Sequence, residues 1–307
     1  MPAVYHLGSA RAILVVVSLR VHHLDCGAMC PLGGSLLGGR GGRGGPSARG
    51  RMPAHCLLVE TPASGLVLVD TGFGAKDVED PQVRLGAFFT ALAGPPRDPA
   101  ITARAQIRAL GFDPDDVRHV VVTHLDLDHA GGLPDFPRAR VHVHRDERAA
   151  ALAPTLAERQ RYRPAHFAHR PDFAPYDAAG EPWKGFPAVR DLPGLPPEIL
   201  AIPLPGHTRG HACVAVDRGD RWLLHAGDAY FHHASVRPGA GAAPPGLRVF
   251  ERLVAVDYAR VLDNHARLRE LARAPDVTVF SAHDPEELDT LRAGATVAPR
   301  AEARAAG

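Results

Sequence analysis

The stretch "VVVTHLDLDHAGGLPDFP", from Val120 to Pro137, constrains this chain more than any other. An apolar, β-branched run stops abruptly at His124, Asp126, Asp128 and His129. A buried strand that ends in a polar loop delivers its last side chains to the edge of a sheet. Imidazoles and carboxylates gathered there form a ligand set for Zn²⁺, Fe or Mn²⁺. Groups so close in sequence cannot easily surround one ion. They can face two adjacent ions if later segments supply more ligands.

Later segments do. "PLPGHTRGH" carries His207, "LLHAGDAYF" carries Asp228 and "VFSAHDP" carries His283. Each follows a strand-like run and small residues that permit close approach. The remaining pattern is mixed. "HCLLVET" and "GLVLVDTGFG", separated by "PASG", read as a hairpin. "DPAITARAQIRALGF" has helical spacing that stops at Gly111, and "LDNHARLRELARA" reads as an amphipathic helix. "DDVRHVVVTH", "RARVHVHRDE", "EILAIPLPGH", "HACVAVDRG", "RWLLHAGDAYF" and "DVTVFSAHD" read as strands. Strands in runs, with helices between some of them, fit layered sheets better than a doubly wound one. No repeat is evident.

Composition narrows the function classes. The chain has 307 residues, 45% of them hydrophobic, enough for a core of ordinary size. With 35 basic and 34 acidic residues the formal net charge is +1, which offers no footprint for nucleic acid or an anionic membrane. No apolar run approaches the ~18 residues of a membrane helix. "AILVVVSL", Ala12 to Leu19, is short, has no cleavage site after it and reads as a strand leading into "RVHHLDCG". A cytoplasmic protein is expected, with Cys26, Cys30, Cys56 and Cys213 as reduced thiols or Cys26 and Cys30 in a redox or metal role. The expected organisation is an N-terminal extension over 1–20 and a single domain over 21–295. Within it lie a flexible glycine-rich loop over 31–51 and a Pro- and aromatic-rich segment over 154–197. The tail over 296–307 is expected to fray. The 154–197 segment carries Tyr162, Phe167, Phe173, Tyr176, Trp183 and Phe186, and reads as a lid or pocket wall, or as a satellite core.

The ordered set "LVDTG", "HLDLDH", "GHTRGH", "GDAYF" and "SAHD" resembles the metallo-β-lactamase-fold superfamily over roughly His55 to Pro285. "THLDLDHAGG" followed by "FPRARVHVHRDE" is similar in rhythm to its quorum-quenching N-acyl homoserine lactonases. The resemblance implies a four-layered αβ/βα sandwich with a metal site at the edge of two facing sheets. It places His124, Asp126 and His207 on one metal, Asp128, His129 and His283 on a second, and Asp228 between them. Asp70 would orient a ligand, and His211 would stand just behind the site. The family pattern H-x-H-x-D-H has His where this chain has Asp126, a harder and charged ligand that admits Fe or Mn beside Zn. The lactonase tyrosine falls at Phe231, with Tyr230 one position earlier, so Tyr230 is a candidate for substrate contact or for packing. His232 and His233 are candidates for lining the pocket.

The mechanism implied is attack by a metal-bridging hydroxide on a small lactone or ester, with Asp128 orienting the nucleophile and shuttling its proton. An iron-dependent redox enzyme of the persulfide-dioxygenase or di-iron type, or a phosphodiesterase, is the alternative. A small-molecule substrate is the expected partner, with no nucleic acid and no membrane; a homodimer is left open.

Overall fold

The computed structural model describes residues 18–27, 29–31, 37, 50–95, 97–177, 180–186 and 190–295. Most of the N-terminal extension, most of the glycine-rich loop, the strand expected before residue 18 and the tail over 296–307 lie outside the described residues.

Eleven strands are described: β1 Arg20–Asp25, β2 His55–Glu60, β3 Leu66–Val69, β4 Val117–Val121, β5 Arg140–His144, β6 Asp172–Tyr176, β7 Arg190–Asp191, β8 Ile199–Pro203, β9 Ala212–Asp217, β10 Trp222–His225 and β11 Val277–Phe280. The helices are α1 Ala75–Glu79, α2 Pro81–Arg84, α3 Ala87–Ala93, α4 Ala103–Ala109, α5 Leu127–Ala130, α6 Arg145–Leu152, α7 Pro164–Phe167, α8 Pro245–Val254, α9 Tyr258–Leu271 and α10 Pro285–Ala295. Six strands form one sheet in the order β1-β2-β3-β4-β5-β6, and five form the other in the order β11-β10-β9-β8-β7. The β2–β3 pair is the expected antiparallel hairpin, while β3, β4, β5 and β6 run parallel.

Period-two alternation sets the layers. On β2, Leu57 and Val59 face the second sheet, while Leu58 faces the helices. Val67 and Val69 of β3 and Val121 of β4 join them, packing against Ile199, Val214, Val216, Leu223 and Phe280 of the other sheet. The outer face of the first sheet packs Leu68, Val120 and Val141 on Ala103 and Ile107 of α4 and Ala150 of α6. The outer face of the second packs Ile202, Cys213 and Leu224 on Leu268 and Leu271 of α9. Helices, sheet, sheet, helices is the αβ/βα sandwich. Local signals agree with the helix bounds. Thr102 caps α4 by accepting from Ala105 N, and Gly111 ends that turn at φ +90°. Asp257 caps α9, which starts four residues before the expected "LDNHARLRELARA".

The 154–197 segment is more regular than its sequence suggests, because β6 adds a parallel edge strand despite Pro175, whose missing N–H is tolerated at an edge. Its aromatics fill cores. Tyr162, Phe167 and Phe173 join the first outer core, Tyr176 the inter-sheet core, and Trp183 and Phe186 the second outer core. The four cysteines form no disulfide, and Cys26, Cys56 and Cys213 are buried. Among the described residues none of them joins a cluster that could hold a metal, and no helix is long and apolar enough to cross a membrane.

A cluster of three buried histidines crosses between the sheets. His23 Nδ1 of β1 lies 2.8 Å from His55 Nε2 of β2, and the His55 and His225 rings both pack on Phe280. Burial, reinforced by neighbouring cations, holds His23 down at about 3 and His55 well below its usual value, and burial lowers His225. Unfolded histidines titrate near ~6.5, so below that pH the unfolded chain binds protons that the folded one refuses. Stability is therefore lost as pH falls through ~6.5 toward the depressed folded values, by about 1–2 kcal/mol at pH ~5 from His23 alone. A His23→Leu variant should lose less stability than the wild type between pH ~7 and ~5, whatever its offset at neutral pH, when Tm is followed by circular dichroism. Equal losses in the two proteins would show that the buried imidazole is not kept neutral.

Candidate metal centre

The carboxyl ends of β3, β4, β5, β8, β10 and β11 each carry a polar side chain to one edge of the sandwich: Asp70, His124, Glu147, His207, Asp228 and His283. The two sheets are stitched together there. Thr123 O accepts from Ala212 N at 2.9 Å, and Ala282 O from His55 N at 3.0 Å. After β4 the chain makes the single-turn helix α5. Asp126 is its N-cap residue, with O accepting from His129 N and Ala130 N, but its carboxylate makes no cap hydrogen bond and stays available. That turn solves the spacing problem of the sequence: it throws Asp126 to one side and Asp128 and His129 to the other.

Two nests result. In the first, Asp126 Oδ2 lies 3.5 Å from His124 Nε2 and 3.1 Å from His207 Nε2, and Asp228 Oδ2 lies 3.7 and 3.4 Å from the same nitrogens. In the second, Asp228 Oδ1 lies 3.2 Å from both His129 Nε2 and His283 Nε2, while Asp128 stands 4.0 and 3.4 Å from them. Asp228 thus turns one oxygen to each nest. All seven residues named from the sequence meet here. Yet His124 Nε2, His129 Nε2, His283 Nε2, Asp126 Oδ1 and Asp228 Oδ1 are buried without a hydrogen-bond partner. Buried polar atoms seldom go unpaired. Orphaned imidazole and carboxylate atoms converging at these distances fit divalent cations. Electrostatics point the same way. Burial pulls His129 and His283 down, but the Asp228 carboxylate, with Asp128 beside it and Asp70 adding at His129, raises both. The cluster demands positive charge, as protons or as metal.

The ligand imidazoles are aimed by their other nitrogens. His129 Nδ1 bonds Asp70 Oδ2 at 2.8 Å, His283 Nδ1 bonds Pro53 O at 2.7 Å, and His124 Nδ1 meets Thr123 Oγ1 at 2.9 Å. Asp70 also accepts from Thr123 N and Thr123 Oγ1, both at 2.7 Å. Its backbone is left-handed at φ +56°, a conformation that costs free energy for any residue with a Cβ. His211 stands behind Asp228, its Nε2 accepting from Asp228 N at 3.0 Å and its Nδ1 donating to Leu204 O at 3.1 Å. Gly227, at φ +53°, is required in between: a Cβ there would sit 2.7 Å from His211 Nε2.

The site opens into a cavity of about 510 Å³. Its floor is Asp126, Asp128, His207, Asp228 and His283, and its walls are mainly apolar: Met29, Met52, Phe89, Leu92, Phe231, Phe250 and Leu253. Of the described residues in the 154–197 segment, Ala157, Gln160 and Arg161 reach it. Tyr230 is a correction. It is fully buried in the second outer core, its hydroxyl donating to the Glu287 carboxylate at 3.1 Å, and the next residue, Phe231, faces the cavity with its ring 5.4 Å from His283 and parallel to it. His232 and His233 do not line the cavity either. They gather beside Asp284, whose Oδ2 already accepts from His233 N and His233 Nδ1.

Two residues that hold the site together escaped the sequence reading. Arg161 Nη1 lies 3.0 Å from Asp126 Oδ2 and 3.2 Å from His207 Nε2. Burial raises the Asp126 carboxyl, but Arg161 foremost, and His124 after it, hold it well below its usual value; burial and the Arg161 cation press His207 down to about 4. The departure at Asp126 was the signal: an extra buried carboxylate calls for a cation. The other residue is Glu147, fully buried at the start of α6. It accepts from Leu125 N at 2.9 Å, Tyr162 Oη at 3.1 Å and Gly210 N at 3.1 Å, tying the β4 loop to the loop that holds His207. Glu147→Ala should strand all three donors and lower stability by about 2–4 kcal/mol in urea unfolding. A loss under about 0.5 kcal/mol would mean that water or a rearranged loop replaces the carboxylate.

The family profile of the metallo-beta-lactamase superfamily matches residues 49–283. A probable metallo-hydrolase of Mycobacterium tuberculosis is 44% identical over 271 residues, covering 87% of this chain and 81% of the relative. The N-acyl homoserine lactonase AttM of Agrobacterium fabrum is 30% identical over 241 residues, covering 76% of this chain and 83% of the relative. Among solved structures, an N-acyl homoserine lactone hydrolase with N-hexanoyl-L-homoserine bound at its catalytic metal centre superposes with a TM-score of 0.67 at 20% identity, covering 89% of this chain and 97% of that one. The chain belongs to the metallo-beta-lactamase superfamily.

Proposed function

We propose that this chain is a dinuclear metal-dependent hydrolase that opens a small lactone or ester, with zinc in both nests. The observation that carries the reading is the pair of unsatisfied His/Asp nests sharing Asp228 at the floor of an apolar cavity. The names of the relatives, metallo-hydrolase and N-acyl homoserine lactonase, support it.

His124, Asp126 and His207 would hold one ion, Asp128, His129 and His283 the other, and Asp228 both. Bound there, the ions supply Lewis acidity and make water a competent nucleophile near neutral pH. The protein does the rest. The apolar walls bind the organic part of the substrate and exclude bulk water, leaving the polar bond against the floor. The Asp128 carboxylate, on the cavity floor beside His283 Nε2, accepts the proton of the attacking water and returns it to the leaving oxygen. Asp70 keeps His129 Nε2 directed inward by taking the Nδ1 proton, which fixes the tautomer as well as the ring.

Elemental analysis of the purified, untagged protein should find about two zinc ions per chain. Asp128→Asn should lower kcat on the best lactone or ester substrate by about 100-fold or more. Full activity in that variant would remove Asp128 from the mechanism. Mostly iron, together with oxygen uptake on a thiol or persulfide donor, would favour the redox alternative.

Asp70→Asn keeps a side chain that tolerates left-handed backbone, but its amide cannot accept from both Thr123 and His129. The variant should release metal to a competing chelator at a concentration about 10–100-fold lower than the wild type does. Identical retention would show that Asp70 does not orient the ligands.

A further inference from the structure

Asp126 is the one position where the candidate ligands depart from H-x-H-x-D-H, and the departure adds a negative charge where a neutral imidazole would stand. The chain answers it 35 residues further on. Arg161 is the only Arg or Lys among the described residues lining the cavity, and Asp126, 3.0 Å from its Nη1, is the only carboxylate with which it forms an ion pair. The guanidinium is also held by backbone: Nη1, which stands 3.2 Å from His207 Nε2, donates to His207 O at 3.4 Å, and Nη2 donates to Val254 O. Its side chain is 14% exposed, so the pair is shielded from salt. A guanidinium stays charged at any working pH, and two of its donors are committed to backbone, so it is held in place rather than free to follow a substrate.

We propose that Arg161 is a positioning residue whose fixed charge offsets Asp126, so that the Asp126–Arg161 pair substitutes for a neutral imidazole and keeps the first nest selective for zinc over harder ions. The inference rests on the two-ion reading above. Without Arg161, the Asp126 carboxylate becomes a more basic and harder donor, which suits Mn²⁺ better than a softened one does. With Arg161 but no Asp126, an unpaired cation faces the nest and opposes any ion there.

The test is occupancy, independent of turnover. Metal-stripped wild type, R161Q, R161K, D126H and the double variant D126H/R161Q are dialysed against equimolar Zn²⁺ and Mn²⁺, and bound metal is measured by mass spectrometry. R161Q should raise the Mn:Zn ratio by about tenfold over wild type. R161K, which keeps the charge, should stay near wild type. D126H alone should retain its first-nest ion about tenfold less tightly, and D126H/R161Q should return to the wild-type ratio, a rescue that a merely structural arginine does not permit. An unshifted ratio in R161Q, or a double variant that stays shifted, overturns the role. If R161Q does not fold, D126H decides, and unchanged first-ion retention there counts against the proposal. A wild type that binds no second ion refutes the two-ion reading; a wild type with two ions and an unshifted R161Q refutes only this inference.

Discussion

Asp70 is the buried charge on which the geometry of the centre depends. An ionised carboxylate taken out of water is costly unless its lone pairs are filled, and Asp70 fills them with Thr123 N, Thr123 Oγ1 and His129 Nδ1. Thr123 Oγ1 in turn meets His124 Nδ1. One side chain therefore aims an imidazole in each nest, His129 directly and His124 through Thr123. The left-handed backbone at Asp70 is the strain that this arrangement stores, and the network that over-determines it is the reason that it persists. Asp70 N also bonds Val121 O, so the carboxylate is fixed to the same β4 edge whose loop it orders.

Charge governs the next layer outward. Asp126, Asp128 and Asp228 crowd around four imidazoles, and the anionic excess lifts His129 and His283 while Arg161 and His124 keep Asp126 ionised. Such a cluster is stable only with cations in it. Glu147 is the contrasting case, a buried carboxylate with no ligand duty, whose oxygens are spent on Leu125 N, Gly210 N and Tyr162 Oη. It ties the loop bearing Asp126 to the loop bearing His207, and so sets the spacing of the first nest.

The strands that carry the centre were legible because each ends in a hard contrast: "VVVTH", "LLHAGD", "VFSAH". Apolar β-branched runs followed by small residues and a single ligand leave little freedom of register. The seven candidate ligands were legible for the same reason. What was not legible depends on tertiary partners. β6 was hidden by Pro175 and by the Pro-rich run around it, and it forms because an edge is available beside β5. Helix α8, with Val249 and Leu253 exposed, has an apolar face that the sequence alone could not assign to a core or a cavity. Arg161 and Glu147 look like ordinary charged residues until the fold brings them to their partners. Tyr230 shows the opposite error. In the turn that follows β10, one position separates the cavity, at Phe231, from the outer core, at Tyr230.

The division between legible and hidden residues follows the division of labour in the molecule. Sheet ends supply the polar floor, and their chemistry is written in short local motifs. The walls come from elsewhere: Phe89 and Leu92 from α3, Phe250 and Leu253 from α8, Gln160 and Arg161 from the segment after α6. These parts are connections between strands, and connections tolerate change that sheet ends do not. On the hydrolase reading, the walls select the substrate and the floor supplies the chemistry. Asp126 and Arg161 are the exception that couples the two, since a floor residue and a wall residue share one ion pair. A change at either position alters both the charge of the nest and the shape of the mouth.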